Sequence, residues 1–338
     1  MTAFRDSPWS AVLVMLLGVM ATLAIPKWVD DFALIQITIY VVMAILAISQ
    51  AFIWGFSGIL CFGQASFFGL GAYTYALSVI NMGESTLPVL LAIALPGLFA
   101  LLLGYFMFYG RLSDVYMGVI TLTVSLILFN SVNSTAGPEW RIGNAPLGGF
   151  NGIPSIPSIN YPGNPEDILD PLAFFYLSAF SLIAIYGGLR WLISSRIGHV
   201  IVAIKENEQR ATLLGFDARA FKLFAFTVGG CIAGLAGCFF ANWGSFTSPT
   251  IFSLGQSAQI IVWVIVGGLG TLVGPIIGCM AIQWLTTQIG TQQTFNSNLV
   301  LGAILVVFVL LVPKGIIPSL GDVLQKLFGK KAAKGEDA

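Results

Sequence analysis

Long uncharged apolar runs alternate with short polar segments along almost the whole chain. A helix needs about 20 mostly apolar residues to cross roughly 30 Å of hydrocarbon. The run from Phe252 to Gly290 is too long for one crossing, so we divide it at the glycines 267, 268 and 270 and at Gly274-Pro275. The ten predicted spans are Trp9–Pro26, Phe32–Trp54, Phe56–Ile80, Leu87–Tyr109, Val115–Val132, Pro171–Ile193, Phe221–Trp243, Phe252–Val266, Thr271–Ile289 and Asn298–Pro313.

The composition supports a membrane protein. Hydrophobic residues make up 57% of the chain and charged residues 9%, whereas soluble domains carry roughly 25% charged residues. We therefore predict an all-α membrane protein of about ten transmembrane helices. One transmembrane domain is expected over residues 1–320, followed by a basic cytoplasmic tail over 321–338.

The basic residues predict the orientation. With ten spans and a cytoplasmic N-terminus, thirteen of the fifteen Lys and Arg residues lie inside, and Lys27 and Arg141 lie outside. This is the bias that membrane proteins show, and it places both termini in the cytoplasm. The first span could instead be a signal peptide. We expect it to be retained, because no clear cleavage site follows, and its removal would leave the orientation unchanged.

The sequence gives little support for chemistry at a metal or a catalytic group. The four cysteines lie in predicted spans without CxxC spacing, and the single histidine is His199. HExxH and Ser/His/Asp sets are also missing. We therefore predict no enzyme activity, no metal, no cofactor and no nucleic-acid partner.

The two longest predicted loops lie on opposite sides. The external loop, residues 133–170, is rich in Gly, Pro, Asn and Ser. It is either a solvated connector or a docking or gating surface for an external partner. The cytoplasmic loop, residues 194–220, has apolar residues at helical spacing, with Gly215 where a left-handed helix end is expected. Ala211, Leu214 and Gly215 are predicted to contact another protein, and the alternative is a helical hairpin that only joins two spans.

A short repeat links the third and eighth spans. Leu254–Ala258 (LGQSA) resembles Phe62–Ser66 (FGQAS), and the predicted topology runs the two spans in opposite directions. This is the pattern of a 5+5 inverted repeat, in which glycine-broken helices line a transport path. Helix packing alone is the alternative explanation. The predicted path residues are Gly63, Gln64, Ser66, Gly69, Thr121, Ser125 and Gln256.

The source of energy separates the possible classes of transporter. The interiors of the predicted spans contain no charged residue, because Asp114, Arg190 and Lys222 sit at the cytoplasmic ends. This disfavours a secondary carrier coupled to protons or cations. The chain also lacks the phosphate-binding motif G-x-x-x-x-G-K-[ST]. A partner ATPase that binds the cytoplasmic loop is therefore favoured, and a passive channel is the main rival.

Several segments resemble a known family. GFSGILCFGQASFFGLGAY (Gly55–Tyr73), KENEQRATLLGFDARAFKLFAFTVGGCIAGLAG (Lys205–Gly237) and VGGLGTLVGPIIG (Val266–Gly278) are similar to the signature regions of permease subunits of bacterial branched-chain amino acid ABC importers. YGRLSDVYMGVITLT (Tyr109–Thr123), with the external loop that follows it, resembles the larger of the two homologous permeases. The similarity extends roughly from Val41 to Ser319. Permeases for urea and short amides are closely similar.

The resemblance implies a multi-pass subunit in the bacterial inner membrane that moves branched-chain or related small amino acids inward. Its partners would be a second homologous permease, two cytoplasmic ATPase subunits and a periplasmic solute-binding protein. The family's ATPase-docking pattern Glu-x-x-Ala-x-x-x-Gly falls on Glu208, Ala211 and Gly215. The Ile-x-Leu-Pro that usually follows is absent, and Phe221-Lys222-Leu223 stands nearby.

Overall fold

The computed structural model describes residues 8–137 and 139–291, together with Gly302 and Gly315. The α-helices in these ranges are α1 (Pro8–Trp28), α2 (Asp31–Ala51), α3 (Gln64–Met82), α4 (Thr86–Tyr109), α5 (Asp114–Asn133), α6 (Pro171–Ser194), α7 (Arg196–Glu206), α8 (Glu208–Leu213), α9 (Ala218–Gly244), α10 (Leu254–Gly267) and α11 (Val273–Thr291). The tail 321–338 lies outside the described residues, as does the predicted tenth span apart from Gly302.

The all-α membrane architecture is confirmed. Six helices of the described ranges are long and apolar enough to cross a membrane, namely α1, α2 with its extension to Phe56, α4, α5, α6 and α9. Helix α10 is a shorter apolar helix, and α3 and α11 occupy two further predicted positions. Helices therefore stand at nine of the ten predicted spans, and the inverted relation between the two halves stays a prediction.

The core forms where α3 crosses α9, with α2 and α4 packed around the pair. Small residues allow this close approach, as is common between membrane helices. A Cβ atom on Gly71 would collide with the Gly234 carbonyl oxygen, and one on Gly237 would collide with the Phe68 carbonyl oxygen. On the periphery, α1 and α4 expose large apolar side chains, such as Leu16 and Leu102. That surface suits contact with lipid.

The third span begins later than predicted. Helix α2 continues through a π-helical segment, Phe52–Phe56, and residues 57–63 are not helical, so that α3 starts at Gln64 rather than at Phe56. Gly58, with φ +72°, turns the chain back on itself. The Gln50 amide donates to the Cys61 carbonyl oxygen at 2.7 Å. Helix α3 therefore begins deep within the bundle, at the level of the last turns of α2.

The residues of the predicted external loop fold against the helix ends. Its strands are β1 (Arg141–Ile142), β2 (Ala145–Pro146), β3 (Ile153–Pro154), β4 (Asn160–Tyr161) and β5 (Asn164–Ile168), and β6 (Phe246–Thr247) follows α9. Strands β1 and β2 form one antiparallel pair, and β4 and β5 form another. Strand β3 pairs with β6, with Ile153 opposite Thr247.

Side-chain hydrogen bonds fasten this loop to the bundle. Asn81 of α3 donates to the Ile142 carbonyl oxygen at 2.8 Å and accepts from the Asn144 amide at 2.7 Å. Asn242 of α9 accepts from the Ile159 amide at 2.7 Å. The loop is therefore attached to the ends of α3 and α9, and we call this side of the bundle the loop end. The opposite side, where α7 and α8 lie, is the α7–α8 end.

Candidate transport path and docking surface

Two helices begin part-way along the length of the bundle, each after a stretch of non-helical chain. Helix α3 follows residues 57–63, which enter from the α7–α8 end. Helix α10 follows β6 and a 3₁₀ turn, Pro249–Phe252, which enter from the loop end. Irregular backbone at membrane depth is tolerated where it is buried in protein or lines a cavity, and such broken helices are typical of transport paths.

The turn before α10 lies against the middle of α3. The Phe252 ring stacks on the Tyr73 ring with centroids 5.6 Å apart. It also fills the space over Gly69, where a Cβ atom would collide with it. Ser125 of α5 donates to the Phe252 carbonyl oxygen at 2.9 Å. Two predicted path residues, Gly69 and Ser125, are therefore brought together on this turn, and they hold the start of α10.

Thr121 and Gly63 meet at the start of α3. The Thr121 hydroxyl accepts a hydrogen bond from the Phe62 amide at 3.1 Å and donates to the Gly118 carbonyl oxygen at 2.9 Å. Gly63 lies so close to Thr121 that a Cβ atom would collide with the Thr121 carbonyl oxygen. These two residues position the broken backbone, which needs partners because it cannot bond within a helix.

Gln64 is buried and fully engaged with its neighbours. Its Nε2 donates to the Ser49 hydroxyl at 2.8 Å and to the Gly229 carbonyl oxygen at 3.3 Å. The Cys61 thiol lies 3.7 Å from its Oε1. This amide joins α3 to α2 and α9, so the structure favours the packing alternative for Gln64.

Gln256 and Ser66 differ from Gln64 in their surroundings. The buried Gln256 Nε2 and Ser66 Oγ atoms have no hydrogen-bonding partner among the described residues. Buried polar groups are nearly always paired, so unpaired ones call for a functional explanation. Of the predicted path residues, these two have buried side-chain atoms whose hydrogen-bonding capacity is unused in the described residues.

Sequence reasoning missed Phe252 and Tyr73. Both are aromatic residues in apolar runs, and nothing in their spacing distinguishes them from residues that face lipid or core. The available signal was Gly69, because a glycine in mid-helix leaves room for a neighbouring ring. That signal did not identify which ring fills the space.

The loop predicted to be cytoplasmic, residues 194–220, folds into two short helices. Ser195 caps α7 and Asn207 caps α8 by accepting hydrogen bonds from the Gly198 and Arg210 amides. Gly215 has φ +91°, which confirms the predicted left-handed helix end. The helical spacing is also confirmed, although the helix is interrupted at Asn207.

The predicted docking residues do not all share one face. Ala211 is 3% exposed and packs in a small cluster with Ile204 and Ala218, so its side chain faces inward rather than outward. Glu208 forms an ion pair with Lys222 of α9 at 2.7 Å. Leu214 is exposed, as is its neighbour Leu213. The outward apolar surface is therefore made by Leu213 and Leu214, and it is held in place from behind by Ala211 and Glu208.

The α7–α8 end also contacts the broken part of the bundle. Lys205 of α7 donates to the Gly55 carbonyl oxygen, at the end of the π-helical segment, over 2.7 Å. Its Cγ atom would be 2.9 Å from a Cβ atom on Gly58. The turn between α10 and α11 approaches the same place, because a Cβ atom on Gly55 would be 3.0 Å from the Gly270 nitrogen. A movement of α7 would thus reach both broken helices.

Comparisons with known proteins agree with this architecture. A family model described as "Branched-chain amino acid transport system / permease component" matches residues 32–309. The high-affinity branched-chain amino acid transport system permease protein LivM of Escherichia coli (strain K12) is 29% identical over 332 residues, which cover 89% of this chain and 73% of LivM. LivM of Salmonella typhimurium is 29% identical over 321 residues, with the same coverage.

A second kind of relative matches over part of the chain. The autoinducer 2 import system permease protein LsrC of Escherichia coli O9:H4 (strain HS) is 31% identical over 160 residues, which cover 43% of this chain and 46% of LsrC. No solved structure matches this chain significantly.

Proposed function

Since the chain belongs to the family of permease components of branched-chain amino acid transport systems, we propose that it is one membrane subunit of an ABC importer. It moves branched-chain or related small amino acids into the cytoplasm of a bacterium. ATP is bound and hydrolysed by two separate ATPase subunits, and a second homologous permease completes the membrane part. The rival solutes are urea and short amides.

One observation carries this proposal. The two broken helices, α3 and α10, pack against each other, and both carry buried polar side chains without charge, such as Ser66 and Ser257. Uncharged polar groups suit a solute that is polar or zwitterionic and must leave again, whereas a carrier coupled to protons or cations usually has an ionisable group inside the membrane. The proposed path therefore runs along α3 and α10, and the energy comes from outside this chain.

We assign the ATPase contact to Leu213 and Leu214. These side chains are 88% and 74% exposed, although apolar side chains of this size are mostly buried in soluble surroundings. The rigid backing by Ala211, and by the ion pair of Glu208 with Lys222, suits a surface that transmits force. Through Lys205 and Gly55, this surface reaches the end of α2.

We assign the solute-binding protein to the loop end. The loop is anchored to α3 and α9 through Asn81 and Asn242, and it exposes Phe150 and Tyr161. Exposed aromatic side chains are typical of protein contacts. This assignment puts the loop end in the periplasm, the α7–α8 end in the cytoplasm and both termini in the cytoplasm.

Reconstitution in vesicles tests the function. A complex of this chain with the second permease, the ATPases and a binding protein should accumulate leucine when ATP is supplied, and a proton or sodium gradient should not replace ATP. The chain alone should not concentrate leucine. Gradient-driven accumulation by the chain alone would indicate a secondary carrier, and downhill flux alone would indicate a channel. Accumulation of urea instead of leucine would identify the rival solute.

Replacing Leu214 with glutamate tests the ATPase contact. The substitution puts a charge on an apolar surface that becomes buried in the complex, where an unpaired charge is strongly unfavourable. We expect normal insertion and an unchanged melting temperature, with loss of ATPase copurification. Leu214→Met keeps the apolar surface and should copurify as the wild type does. If Leu214→Glu retained the ATPase and its solute-stimulated hydrolysis, the two helices would be a connector only.

A further inference from the structure

Unpaired buried polar atoms are concentrated on three helices in contact with one another. Of the eight such side-chain atoms in the described residues, six belong to α2, α3 and α10. Helix α10 packs against both α2 and α3. The six atoms are Gln50 Oε1, Ser66 Oγ, Tyr73 Oη, Gln256 Nε2, Ser257 Oγ and Trp263 Nε1.

On α3, the unpaired groups recur on one face. Ser66 and Tyr73 are seven residues apart, which in an α-helix is about two turns and roughly 10 Å along the axis. Gly69 lies between them on the same face, against the Phe252 ring. This face of α3 is therefore turned toward the segment that leads into α10.

Helix α10 repeats the spacing in the opposite direction. Gln256 and Trp263 are also seven residues apart, so they too lie on one face, roughly 10 Å apart. The turn that leads into α10 lies beside Tyr73, at Phe252, and the glycine turn that follows α10 lies beside Gly55. Helix α10 therefore runs antiparallel to α3.

The antiparallel arrangement sorts the groups into two levels. Along the helix axes, the spacing places Tyr73 and Gln256 at a first level, near the start of α10. It places Ser66 and Trp263 at a second level, closer to the α7–α8 end. Gln50 lies near the second level, because its neighbour Ser49 bonds to Gln64 at the start of α3. Tyr73 and Ser66 are 5% and 1% exposed, and Trp263 is fully buried.

The chemistry of these atoms selects one kind of ligand. The Gln256 Nε2 and Trp263 Nε1 atoms only donate hydrogen bonds, and the three hydroxyls can donate as well. Gln50 Oε1 alone among the six is restricted to accepting. The first level also lies at the N-terminus of α10, where the helix dipole favours negative charge. Such donors, without a cation, suit a carboxylate that must bind and then leave.

We propose that the two levels are successive binding stations for the carboxylate group of the transported solute. The carboxylate takes hydrogen bonds from Tyr73 and Gln256 at the first level, and then from Ser66 and Trp263 at the second. Gln50 Oε1 accepts from the ammonium group at the second level. The inference rests on the proposed function and adds to it the chemistry by which the path recognises an amino acid.

Tyr73→Phe and Tyr75→Phe form a matched pair of tests. Both tyrosines are buried in α3, but the Tyr75 hydroxyl is paired with the Pro157 carbonyl oxygen at 3.0 Å and with Asn242 at 3.2 Å. Tyr75→Phe should lower the melting temperature of the purified complex by roughly 2–4 °C. Tyr73→Phe should leave it unchanged or raise it, yet should slow ATP-driven leucine uptake roughly tenfold, because a hydrogen bond to a charged group is lost.

Ser66→Ala and Ser49→Ala repeat the comparison at the second level. Both serines are buried, but the Ser49 hydroxyl donates to the Leu46 carbonyl oxygen at 2.7 Å and accepts from Gln64. Ser49→Ala should therefore lose thermal stability. Ser66→Ala should keep its stability and lose uptake, which a residue with a packing role would not do.

The outcomes separate this inference from the proposed function. If the wild-type complex accumulates leucine, and both Tyr73→Phe and Ser66→Ala match it, the carboxylate stations are wrong while the function stands. Accumulation of urea but not leucine by the wild type would also overturn them, because urea has no carboxylate. The melting comparison needs no solute. A loss of stability in Tyr73→Phe equal to that in Tyr75→Phe would assign the hydroxyl to packing.

Discussion

Replacing Gly237 with leucine is expected to remove the folded permease from the membrane. Gly237 lies where α9 crosses α3, and a Cβ atom there would collide with the Phe68 carbonyl oxygen and lie 2.8 Å from the Ala72 nitrogen. These are backbone atoms and cannot rotate away. The two helices would have to separate, at a cost of about 3 kcal/mol or more. The crossing carries the core of the bundle, so no other contact compensates for its loss.

Gly188 supplies the control for this prediction. It lies within α6, and a Cβ atom there would meet no heavy atom within 4 Å. Gly188→Ala should therefore be tolerated and should stabilise the helix by about 0.5–1 kcal/mol. The amount of monodisperse protein after detergent extraction, and its melting temperature, measure both variants. Wild-type amounts of Gly237→Leu with an unchanged melting temperature would show that the crossing is looser than the structure has it.

Hydropathy predicted the helices because the membrane imposes one simple rule. Uncharged runs of sufficient length must form helices, since lipid offers no partner for the backbone. The starts and ends of the runs 87–109, 115–132 and 171–193 therefore agree with α4, α5 and α6 to within a few residues. These segments have continuous apolar surfaces, so their ends can be predicted from the local sequence alone.

The predicted start of the third span, Phe56, was wrong for a physical reason. Residues 57–63 lie within a long uncharged apolar run, so composition does not reveal that their backbone is non-helical. Their non-helical backbone depends on partners far away in sequence, namely Thr121 for the Phe62 amide and Lys205 for the Gly55 carbonyl oxygen. Such contacts exist only after the helices have packed.

The local fold of the loop proposed to contact the ATPase was predicted in part. The helical spacing and the left-handed glycine at position 215 follow from local rules, and both are confirmed. The direction of Ala211 depends on α9, because Ala218 covers it. The residue pattern of α8 alone could not show which face of α8 would pack against α9. The outward face therefore proved to be that of Leu213 and Leu214.

The Gly-Gln repeat in the two halves predicted equal roles for Gln64 and Gln256. In the structure, the two side chains have different surroundings. Both glutamines lie in the first turn of a helix that begins inside the bundle. The Gln64 amide, however, is surrounded by α2 and α9 and bonds to Ser49 and Gly229. The Gln256 amide nitrogen is buried without a partner in the described part of the chain. The repeat thus marked the two helices that follow non-helical segments. Whether each glutamine amide is hydrogen-bonded depends on the residues around it.

Leucine substitutions at the two positions are expected to fail in opposite ways. Gln64→Leu leaves the Ser49 hydroxyl and the Cys61 thiol without their amide partner in the core, at roughly 1–3 kcal/mol for each polar group left unpaired. The purified complex should melt several degrees lower or fail to assemble. Gln256→Leu removes an amide nitrogen that has no partner to lose, so the complex should assemble and melt as the wild type does, while leucine uptake falls.

The two readouts, assembly and uptake, must be measured together on the same preparations. Gln64→Glu, which keeps the size of the side chain but turns its donor into an acceptor, serves as a further control and should assemble poorly. If Gln64→Leu assembled normally and lost uptake alone, Gln64 would line the path after all, and the two halves would use their glutamines alike. If Gln256→Leu lost assembly, its amide would have a packing role, and the asymmetry between the halves would disappear. The asymmetry matters because only a side chain that the fold leaves unpaired can exchange hydrogen bonds with a passing solute without unfolding the helix that carries it.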